Sequence, residues 1–589
     1  MISELAHESV IEPAGAGSGG SWQTYTLTAP GNAKIEYRFL AQKRSLNHWH
    51  IREGSLSKWS DNLQTELDAV RFILEFKNDL GIKKESLPDY LEEIICTLYS
   101  FAFIRAKEAL PSDQLIHENF QAIEHAMSKG HPSFIANNGR VGFDADDYIR
   151  YSPEADQKIR LVWIAGHQSK AGYSAIEELP YKTLLSRELG EATMERFDAV
   201  LRQKNLNPAD YVYMPVHPWQ WRNKIALLFA DDIASQKLVP LGYTSDEYSV
   251  QQSLRTLYNL SHPEKFYVKT SLSILNMGFV RGMSPYFMDS TPSVTSWIKK
   301  LLEDDPYIRA TGFTMIREVA AVGFKHSYFE EFGTVFPHNK MLAALWRESP
   351  ASVLSPGQQV MTMAALLHVD HQREAFIRHL ILASGLSPED WLSRYLQRYL
   401  SPLLHCFYAY DLTFMPHGEN VLLVLENHQP VRIIIKDISE EICVFGEYYD
   451  MPEKARRVCT HVPDEIRVLN ILVDIMDGYF RFLSEILSEH CQLPEHEFWR
   501  LVAENIQRYQ DAHPQYEEKY RRFDLFADEF KRSCLNRLQL RDHKQMVNTG
   551  DADALTGLQY VGTLKNPLAA FREKRHTSAI QTVQDFQTL

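Results

Sequence analysis

Side chains that suit a phosphate-bound metal gather at one predicted hairpin. Segment 417–438 contains two apolar, β-branched runs separated by a short polar stretch with a proline, a pattern typical of a β-hairpin. If Glu426 pairs with Val431, then Asn420 lies opposite Asp437 and both side chains point to the same face. An amide oxygen and a carboxylate would then converge as hard ligands suited to Mg²⁺. A polar hairpin end that faces water fits the same pattern equally well.

Cationic and hydroxyl side chains that precede this hairpin could bind a polyphosphate. Lys and Arg supply positive charge, and Ser and Thr hydroxyls donate hydrogen bonds to phosphate oxygens. Lys and Arg are mostly exposed in proteins, so any one of them alone is better explained as a surface residue, and only the combination is informative. The candidates are Ser253, Arg255, Lys269, Thr270, Ser271 and Arg281.

Both strands and helices are predicted to position these side chains. Residues 264–270 alternate in polarity and are rich in aromatics, which predicts a strand with Lys265, Tyr267 and Lys269 on one face. The chain lacks a regular βαβ alternation, so we predict an α+β fold with antiparallel sheets and a helical C-terminal part. Apolar periodicity predicts helices over 61–80, 88–110 and 469–487.

Composition excludes several classes of function. The 589 residues are 44% hydrophobic and 23% charged, which is typical of a globular protein with a large core. A net charge of −14 disfavours nucleic acid and anionic membranes as partners, and no apolar run is long enough to span a bilayer. We expect a cytoplasmic protein whose six scattered cysteines are reduced thiols.

The first twenty residues are rich in glycine and small side chains. Gly15, Gly17 and Gly20 match the GxGxxG pattern of dinucleotide-binding loops. Such a loop needs a strand before it and a helix after it, and the sequence predicts neither here. We therefore expect residues 1–20 to be a flexible leader.

Common nucleotide and hydrolase motifs are absent, but a set of ordered motifs carries a resemblance. Walker A, GxSxG, HExxH and the protein-kinase motifs do not occur. The chain resembles the aerobactin-type siderophore synthetases, which work without nonribosomal peptide synthetases, and within them the members that join and cyclise hydroxamate units. The motifs lie at 130–143, 216–221, 253–257, 269–282, 417–420 and 565–568.

The resemblance implies a cupped-hand enzyme, usually a homodimer, that uses ATP and Mg²⁺. Such enzymes convert a carboxylate to an acyl-adenylate with release of pyrophosphate, and an amine or hydroxyl then attacks the acyl group. The implied division is a leader at 1–20, a thumb at 21–200, fingers at 201–400 and a palm at 401–589.

The resemblance also implies roles for individual residues. Met415 stands where many members have Glu, and Glu419 where many have Gln, so the set of metal ligands stays open. The implied catalytic residues are Lys269, Arg281 and His417; the ATP contacts are Ser253, Arg255, Lys269, Thr270, Ser271, Arg281, Arg347, His417 and Asn420; the metal ligands are Glu419, Asn420 and Asp437; the substrate contacts are His131, Asn138 and Arg140.

One departure from the family pattern bears on the substrate. Many members bind a citrate-like acid with a second His-Pro and a Lys, where this chain has Phe134, Ile135 and Asn138. The loss of a positive charge disfavours citrate. The two apolar residues would suit a methylene chain, and His131 and Arg140 would orient a single terminal carboxylate.

The leading hypothesis is an ATP-dependent ligase that adenylates the succinyl carboxylate of an N-hydroxy-N-succinyl diamine and condenses it with an amine. One alternative is a phosphotransferase related to atypical kinases. Another is a non-catalytic protein of the same fold that binds nucleotide or siderophore. Release of AMP and pyrophosphate would distinguish the ligase from a kinase, which releases ADP.

Overall fold

The structure is a computed structural model that describes residues 1–15, 21–107, 109–127, 129–333, 336–541 and 560–572. Helices and strands are mixed along the chain, which confirms the predicted α+β class. The strands are β1 (Ala14–Gly15), β2 (Gln23–Thr28), β3 (Ile35–Arg44), β4 (His48–Ile51), β5 (Ser57–Ser60), β6 (Leu63–Thr65), β7 (Lys158–Ile159), β8 (Val162–His167), β9 (Ala171–Ala175), β10 (Tyr211–Val216), β11 (Leu238–Tyr243), β12 (Tyr248–Val250), β13 (Thr256–Asn259), β14 (Tyr267–Thr270), β15 (Leu275–Asn276), β16 (Phe279–Val280), β17 (Thr314–Met315), β18 (Glu318–Phe324), β19 (Ala343–Arg347), β20 (Gln358–Thr362), β21 (Leu412–Phe414), β22 (Val421–Glu426), β23 (Gln429–Ile435), β24 (Ile442–Val444), β25 (Glu529–Ser533) and β26 (Tyr560–Lys565).

Helices dominate the C-terminal part, as predicted. Two π-helical segments also occur, at Trp221–Ile225 and Leu472–Phe480. The α-helices are α1 (Ile2–His7), α2 (Ala69–Phe76), α3 (Leu87–Ala106), α4 (Ser112–Leu115), α5 (Phe120–Ala126), α6 (Ala145–Tyr151), α7 (Tyr181–Gln203), α8 (Pro218–Gln220), α9 (Ala226–Leu228), α10 (Ala230–Ala234), α11 (Pro285–Met288), α12 (Thr291–Asp304), α13 (Pro306–Thr311), α14 (Phe376–Ser384), α15 (Pro388–Tyr410), α16 (Asp464–Arg467), α17 (Leu469–Ile471), α18 (Arg481–Cys491), α19 (Glu495–Ala512), α20 (Glu517–Arg522) and α21 (Leu535–Arg541).

Three larger sheets position the site. A six-stranded sheet near the N-terminus contains β1 to β6, and a seven-stranded sheet has the order β7-β12-β13-β14-β19-β18-β9. A four-stranded sheet has the order β17-β23-β22-β20. Among the described strands, β17 and β23 form the one parallel pair, and the other ladders are antiparallel as predicted.

The predicted helices are present with changed bounds. The segment predicted as a helix over 61–80 contains the short strand β6 followed by α2, because Asp68 caps α2 by accepting hydrogen bonds from the backbone N–H groups of Val70 and Arg71. The helix predicted over 469–487 is α17 and α18 joined by a π-helical segment. No helix in the described ranges is long and apolar enough to cross a membrane.

The prediction of a flexible leader is wrong for the first residues. Ile2–His7 form α1, and the buried side chains of Leu5 and Ile11 belong to the core of the six-stranded sheet. Glu4 forms a buried ion pair with Arg481 at 3.0 Å. The glycine-rich stretch obscured the apolar positions that precede it. Residues 16–20, with most of the GxGxxG match, lie outside the described residues.

The predicted subdomain boundaries do not coincide with the packing. The boundary at residue 200 falls inside α7 and separates β8 from its neighbours β10 and β11. The boundary at residue 400 falls inside α15. Three hydrophobic cores follow the three larger sheets instead, and the third, around the four-stranded sheet, also includes residues from 294 to 315. The division into thumb, fingers and palm therefore stays a prediction, but its boundaries do not lie at residues 200 and 400.

Candidate functional site

The predicted hairpin exists, but its register differs by two residues at the turn and, after a shift between Val424 and Leu425, by one residue at the open end. β22 and β23 are joined by a two-residue turn in which Asn427 and His428 both have positive φ, as in tight hairpins. The prediction assumed a four-residue loop. Val421 pairs with Ile435, so Asn420 lies opposite Lys436, whose N–H donates to the Asn420 carbonyl at 3.0 Å. The predicted pairing of Asn420 with Asp437 is therefore wrong.

Asp437 instead turns toward the seven-stranded sheet. Its φ of 58° lies in the left-handed region, which takes it out of the ladder. Its carboxylate bridges two cations: Oδ1 accepts from Lys269 Nζ at 2.7 Å and Oδ2 from Arg347 Nη1 at 2.8 Å. Because β14 pairs with β19 with Tyr267 opposite Arg347, the side chains of Lys269 and Arg347 are diagonal neighbours. The structure thus brings three predicted residues into one buried cluster.

All three members of this cluster are charged. Burial alone would raise the pKa of Asp437, but Lys269 and Arg347 hold it well below its usual range. Burial alone would lower the pKa of Lys269, but Asp437 and Glu440 raise it above its ordinary value. Buried opposite charges in direct contact stabilise each other's ionised forms. The site therefore presents fixed charges at neutral pH.

Four site residues were missed from the sequence. Glu440 Oε2 accepts from Lys269 Nζ at 3.2 Å, and Lys436 Nζ lies 3.7 Å from the Asp437 carboxylate. Buried Glu318 accepts from the backbone N–H of Ser439, and Glu441 accepts from the Asn420 amide. The charged run at residues 436–441 was the available signal for three of them, and no pattern marked Glu318 at the start of β18.

Several predicted phosphate contacts have polar atoms with no partner. Ser253 Oγ, Thr270 Oγ1, Arg281 Nε and Arg347 Nε are buried and make no hydrogen bond in the described part of the chain. Buried polar groups are normally satisfied, so these groups fit an anion such as a polyphosphate. Ser271 differs, because its Oγ already accepts from the backbone N–H of Ala343.

Arg255 and Arg281 are the remaining predicted cations. Arg255 Nη2 lies 3.5 Å from Glu440 Oε2, which joins Arg255 to the Lys269 cluster. Arg281 donates to the carbonyl of Asn276 at 3.1 Å. Burial, with the charge of Arg255, lowers the pKa of Arg281 from its ordinary value.

The predicted Mg²⁺ ligands do not form a ready-made metal site. Both oxygens of Asp437 are held in ion pairs. The Asn420 amide nitrogen donates to the Met415 carbonyl and to Glu441, which leaves the amide oxygen as a donor for a metal. In the described ranges, no group of three or more His, Cys, Asp or Glu side chains could hold a metal ion. To ligate Mg²⁺, Asp437 would have to leave an ion pair with Lys269 or Arg347. The set of Glu419, Asn420 and Asp437 therefore stays a prediction.

A cavity of about 920 Å³ is lined by Asn276, whose carbonyl accepts from Arg281, but by none of Lys269, Arg347 and Asp437. His131, Asn138, His417 and Glu419, all predicted site residues, line it. The rings of His131 and His417 lie 5.8 Å apart between centroids. Burial, together with His417, lowers the pKa of His131 to about 3, so its imidazole is neutral. The volume of the cavity is typical of a pocket that binds a small molecule.

Arg140 does not line the cavity, and its geometry argues against the predicted contact with a substrate carboxylate. Its guanidinium is 2% exposed, forms an ion pair with buried Glu154 and stacks on Tyr148. It also donates to Asn138 Oδ1 at 3.0 Å. Because that oxygen is occupied, Asn138 has its amide N–H groups left for a ligand. Arg140 therefore holds the Asn138 side chain in one orientation.

The predicted apolar contacts are also misplaced. Phe134 packs against Leu538 of α21, and Ile135 packs on the core of the six-stranded sheet. Neither side chain lines the cavity. Apolar surface in the cavity comes from other residues, which include Trp22, Leu56, Met127, Met277, Leu367, Phe482 and Ile486.

Comparison with known proteins supports the ordered motifs. Residues 119–368 match the model of the IucA / IucC family, and residues 389–548 match a model described as ferric iron reductase FhuF-like transporter. The first match contains the Lys269 segment and the second contains the hairpin.

Relatives match along nearly the whole chain. A putrebactin synthase of Shewanella sp. (strain MR-4) is 45% identical over 574 residues, which cover 97% of this chain and 90% of that protein. An aerobactin synthase of Escherichia coli is 27% identical, with 92% of each chain covered. The solved structure of aerobactin synthetase IucC from Klebsiella pneumoniae has a TM-score of 0.83 at 26% identity, with 97% of each chain covered. The resemblance found in the motifs is confirmed, and the chain belongs to the IucA / IucC family.

Proposed function

We propose that this chain is an ATP-dependent ligase that joins N-hydroxy-N-succinyl diamine units through amide bonds into hydroxamate siderophores. The observation that carries this proposal is the 45% identity to a putrebactin synthase over 97% of the chain. The phosphotransferase and the non-catalytic binding protein are not favoured, because the relatives matched along the chain are named as synthases.

In the proposed reaction, a carboxylate oxygen of the substrate attacks the α-phosphorus of ATP and pyrophosphate leaves. An amine then attacks the acyl carbon, and AMP leaves with that oxygen. Lys269 and Arg347 would meet the negative charge that grows on the departing pyrophosphate. Asp437 holds both cations in place before ATP arrives. Arg281, Ser253 and Thr270 would add donors to phosphate oxygens.

The acid substrate would lie in the 920 Å³ cavity that His131, Asn138 and His417 line. His131 and His417 are neutral and offer hydrogen bonds without charge, since burial lowers the pKa of each imidazole. The oriented amide of Asn138 would donate to a carbonyl or hydroxamate oxygen. The preference for an acid with one carboxylate over citrate rests on Asn138, which stands where many family members have Lys. Mg²⁺ belongs to the proposal only as an ion that arrives with ATP.

The proposal is tested by incubating the full chain with ATP, Mg²⁺ and either N-hydroxy-N-succinylputrescine or N-hydroxy-N-succinylcadaverine. We expect AMP and pyrophosphate in equal amounts, together with a product whose mass corresponds to joined units less water. Citrate is the matched control acid and should release little AMP. Formation of ADP, or citrate-dependent AMP release at a similar rate, would contradict the proposal. A homodimer and a cytoplasmic location stay predictions.

A further inference from the structure

A second part of the cavity wall comes from β4 and α18. Along β4 the period of two places His48 and His50 on the same face, and on α18 Glu485 and Glu489 are one turn apart. All four line the same cavity as His131 and His417. One cavity is therefore lined both by predicted site residues, His131 and His417, and by a separate group of ionisable side chains.

Glu485 is the centre of this group. Its Oε2 accepts from His48 Nε2, and its Oε1 lies 2.9 Å from His50 Nδ1. About a quarter of its side chain, 26%, is exposed. Burial alone would raise the pKa of Glu485, but the hydrogen bonds from the two histidines hold it well below its usual range. The carboxylate is thus ionised and held in one position.

A buried arginine keeps His48 neutral. Arg481 is one turn before Glu485 on α18, and its Nη1 lies 3.0 Å from His48 Nδ1. A guanidinium can only donate, so Nδ1 accepts and the imidazole proton is on Nε2, facing Glu485. Arg481 is itself paired with Glu4 and Asp477. Glu4 and Asp477 therefore already neutralise the charge of Arg481, and Arg481 does not neutralise Glu485.

Glu485 faces the cavity without a matching cation. In the described part of the chain no Lys or Arg forms an ion pair with it, whereas Glu489 is paired with Arg44. Aromatic rings border the group: Trp22 lies 5.1 Å from His50, and Phe482 also lines the cavity. An ionised carboxylate among aromatic rings in a partly desolvated pocket is suited to a ligand cation.

We propose that Glu485, held by His48 and His50, binds the primary ammonium at the end of the acyl-donor substrate opposite to its carboxylate. This inference rests on the proposed function, because that substrate has a free amine at its far end. The carboxylate end would lie by His131 and His417 and the ammonium end by Glu485, within one cavity.

The bound amine is the one that does not react in that turnover. An attacking amine must lose its proton, and a nearby ionised carboxylate keeps an amine protonated. Glu485 therefore suits an ammonium that orients the donor, and not the nucleophile. The acceptor amine must reach the acyl carbon beside the nucleotide.

The test compares two donors, N-hydroxy-N-succinylcadaverine and its N-acetyl derivative, which lacks the ammonium. Pyrophosphate release is measured with excess hydroxylamine as the acceptor. For the unmodified chain we expect kcat/KM for the amine donor to exceed that for the acetylated donor at least tenfold. Glu485→Gln should reduce this preference below threefold by raising KM for the amine donor, with KM for ATP unchanged. Glu489→Gln should keep the preference, because Arg44 already neutralises that carboxylate.

Three results would overturn the assignment: no preference in the unmodified chain, a preference retained in Glu485→Gln, or equal loss in both variants. The first comparison needs no variant, so it holds even if Glu485→Gln fails to fold. If neither donor supported pyrophosphate release, the proposed function itself would be contradicted. This outcome distinguishes failure of the proposed function from failure of the Glu485 assignment.

Discussion

The ion pair between Lys269 and Asp437 makes the sharpest quantitative prediction. Lys269 is 5% exposed and Asp437 9%, with 2.7 Å between Nζ and Oδ1. Removing one partner of a buried pair costs about 3–5 kcal/mol, because the other charge stays buried. Asp437 keeps Arg347 at 2.8 Å, so we expect Lys269→Met to lower the free energy of unfolding by about 3 kcal/mol.

The double-mutant cycle isolates this interaction. Asp437→Asn alone should cost more, about 5 kcal/mol, because Arg347 then loses its ion pair, whereas Lys269 keeps Glu440 at 3.2 Å. The double variant removes both charges. Its loss should be smaller than the sum of the single losses by at least about 1.5 kcal/mol, the contribution of a charge-assisted hydrogen bond. Denaturant unfolding of the four proteins measures the difference.

Turnover is measured on the same variants. Lys269→Met should lower kcat/KM for pyrophosphate release at least tenfold, about 1.4 kcal/mol of transition-state stabilisation. Lys265→Met is the matched control, because Lys265 forms a similar ion pair with Asp246 at 2.7 Å away from the cluster. It should lose stability and keep turnover. A coupling energy near zero, or equal turnover losses in the two Lys variants, would refute the reasoning.

Three further predictions concern the corrected regions. Leu5→Ala should lower the free energy of unfolding by about 2–5 kcal/mol, because Leu5 is 1% exposed. The control Leu63→Ala, at an exposed position, should change the free energy of unfolding by less than about 0.5 kcal/mol. Equal effects of the two variants in denaturant unfolding would contradict the burial of α1. Arg140→Ala should lower the melting temperature by leaving Glu154 buried without its partner; a folded variant of unchanged stability that is altered only in KM for the acid would contradict this role. Burial raises the pKa of Glu8 to about 7, so the folded protein favours the protonated carboxyl. The stabilisation that Glu8 contributes is therefore complete below about pH 4, the pKa range of an exposed Glu, and is lost as the pH rises to about 7. The stability of the unmodified chain relative to Glu8→Gln should therefore fall over that range, by about 1–3 kcal/mol, and a flat or rising difference would refute it.

Strand periodicity explains what the sequence predicted well. Alternation over residues 264–270 placed Lys265 and Lys269 on a shared face, and the structure pairs each with a carboxylate, Asp246 and Asp437. The alternation of side chains along a strand depends on backbone geometry alone, so it can be predicted without knowing the adjacent strands. Periodicity therefore predicted the face on which Lys269 lies, whereas the grouping of Lys269, Arg347 and Asp437 at one site was implied by the family resemblance.

Other features depended on contacts that no local pattern encodes. The hairpin register at Asn420 was set by a two-residue turn with positive φ at Asn427 and His428, which the sequence does not mark with glycine, and by a register shift between Val424 and Leu425. The role of Arg140 depended on Glu154 being its partner, and nothing in the spacing shows that this charge is already neutralised. The Glu485 group depends on packing of α18 against β4, more than four hundred residues apart in sequence.

The path of a carboxylate oxygen tests the central claim most directly. N-hydroxy-N-succinylcadaverine labelled with ¹⁸O in its carboxylate is incubated with ATP, Mg²⁺ and the full chain, and the phosphorus products are examined by mass spectrometry. An acyl-adenylate requires that one labelled oxygen appear in AMP, with pyrophosphate unlabelled. Label in inorganic phosphate together with ADP would show an acyl phosphate, and it would contradict adenylation by this chain.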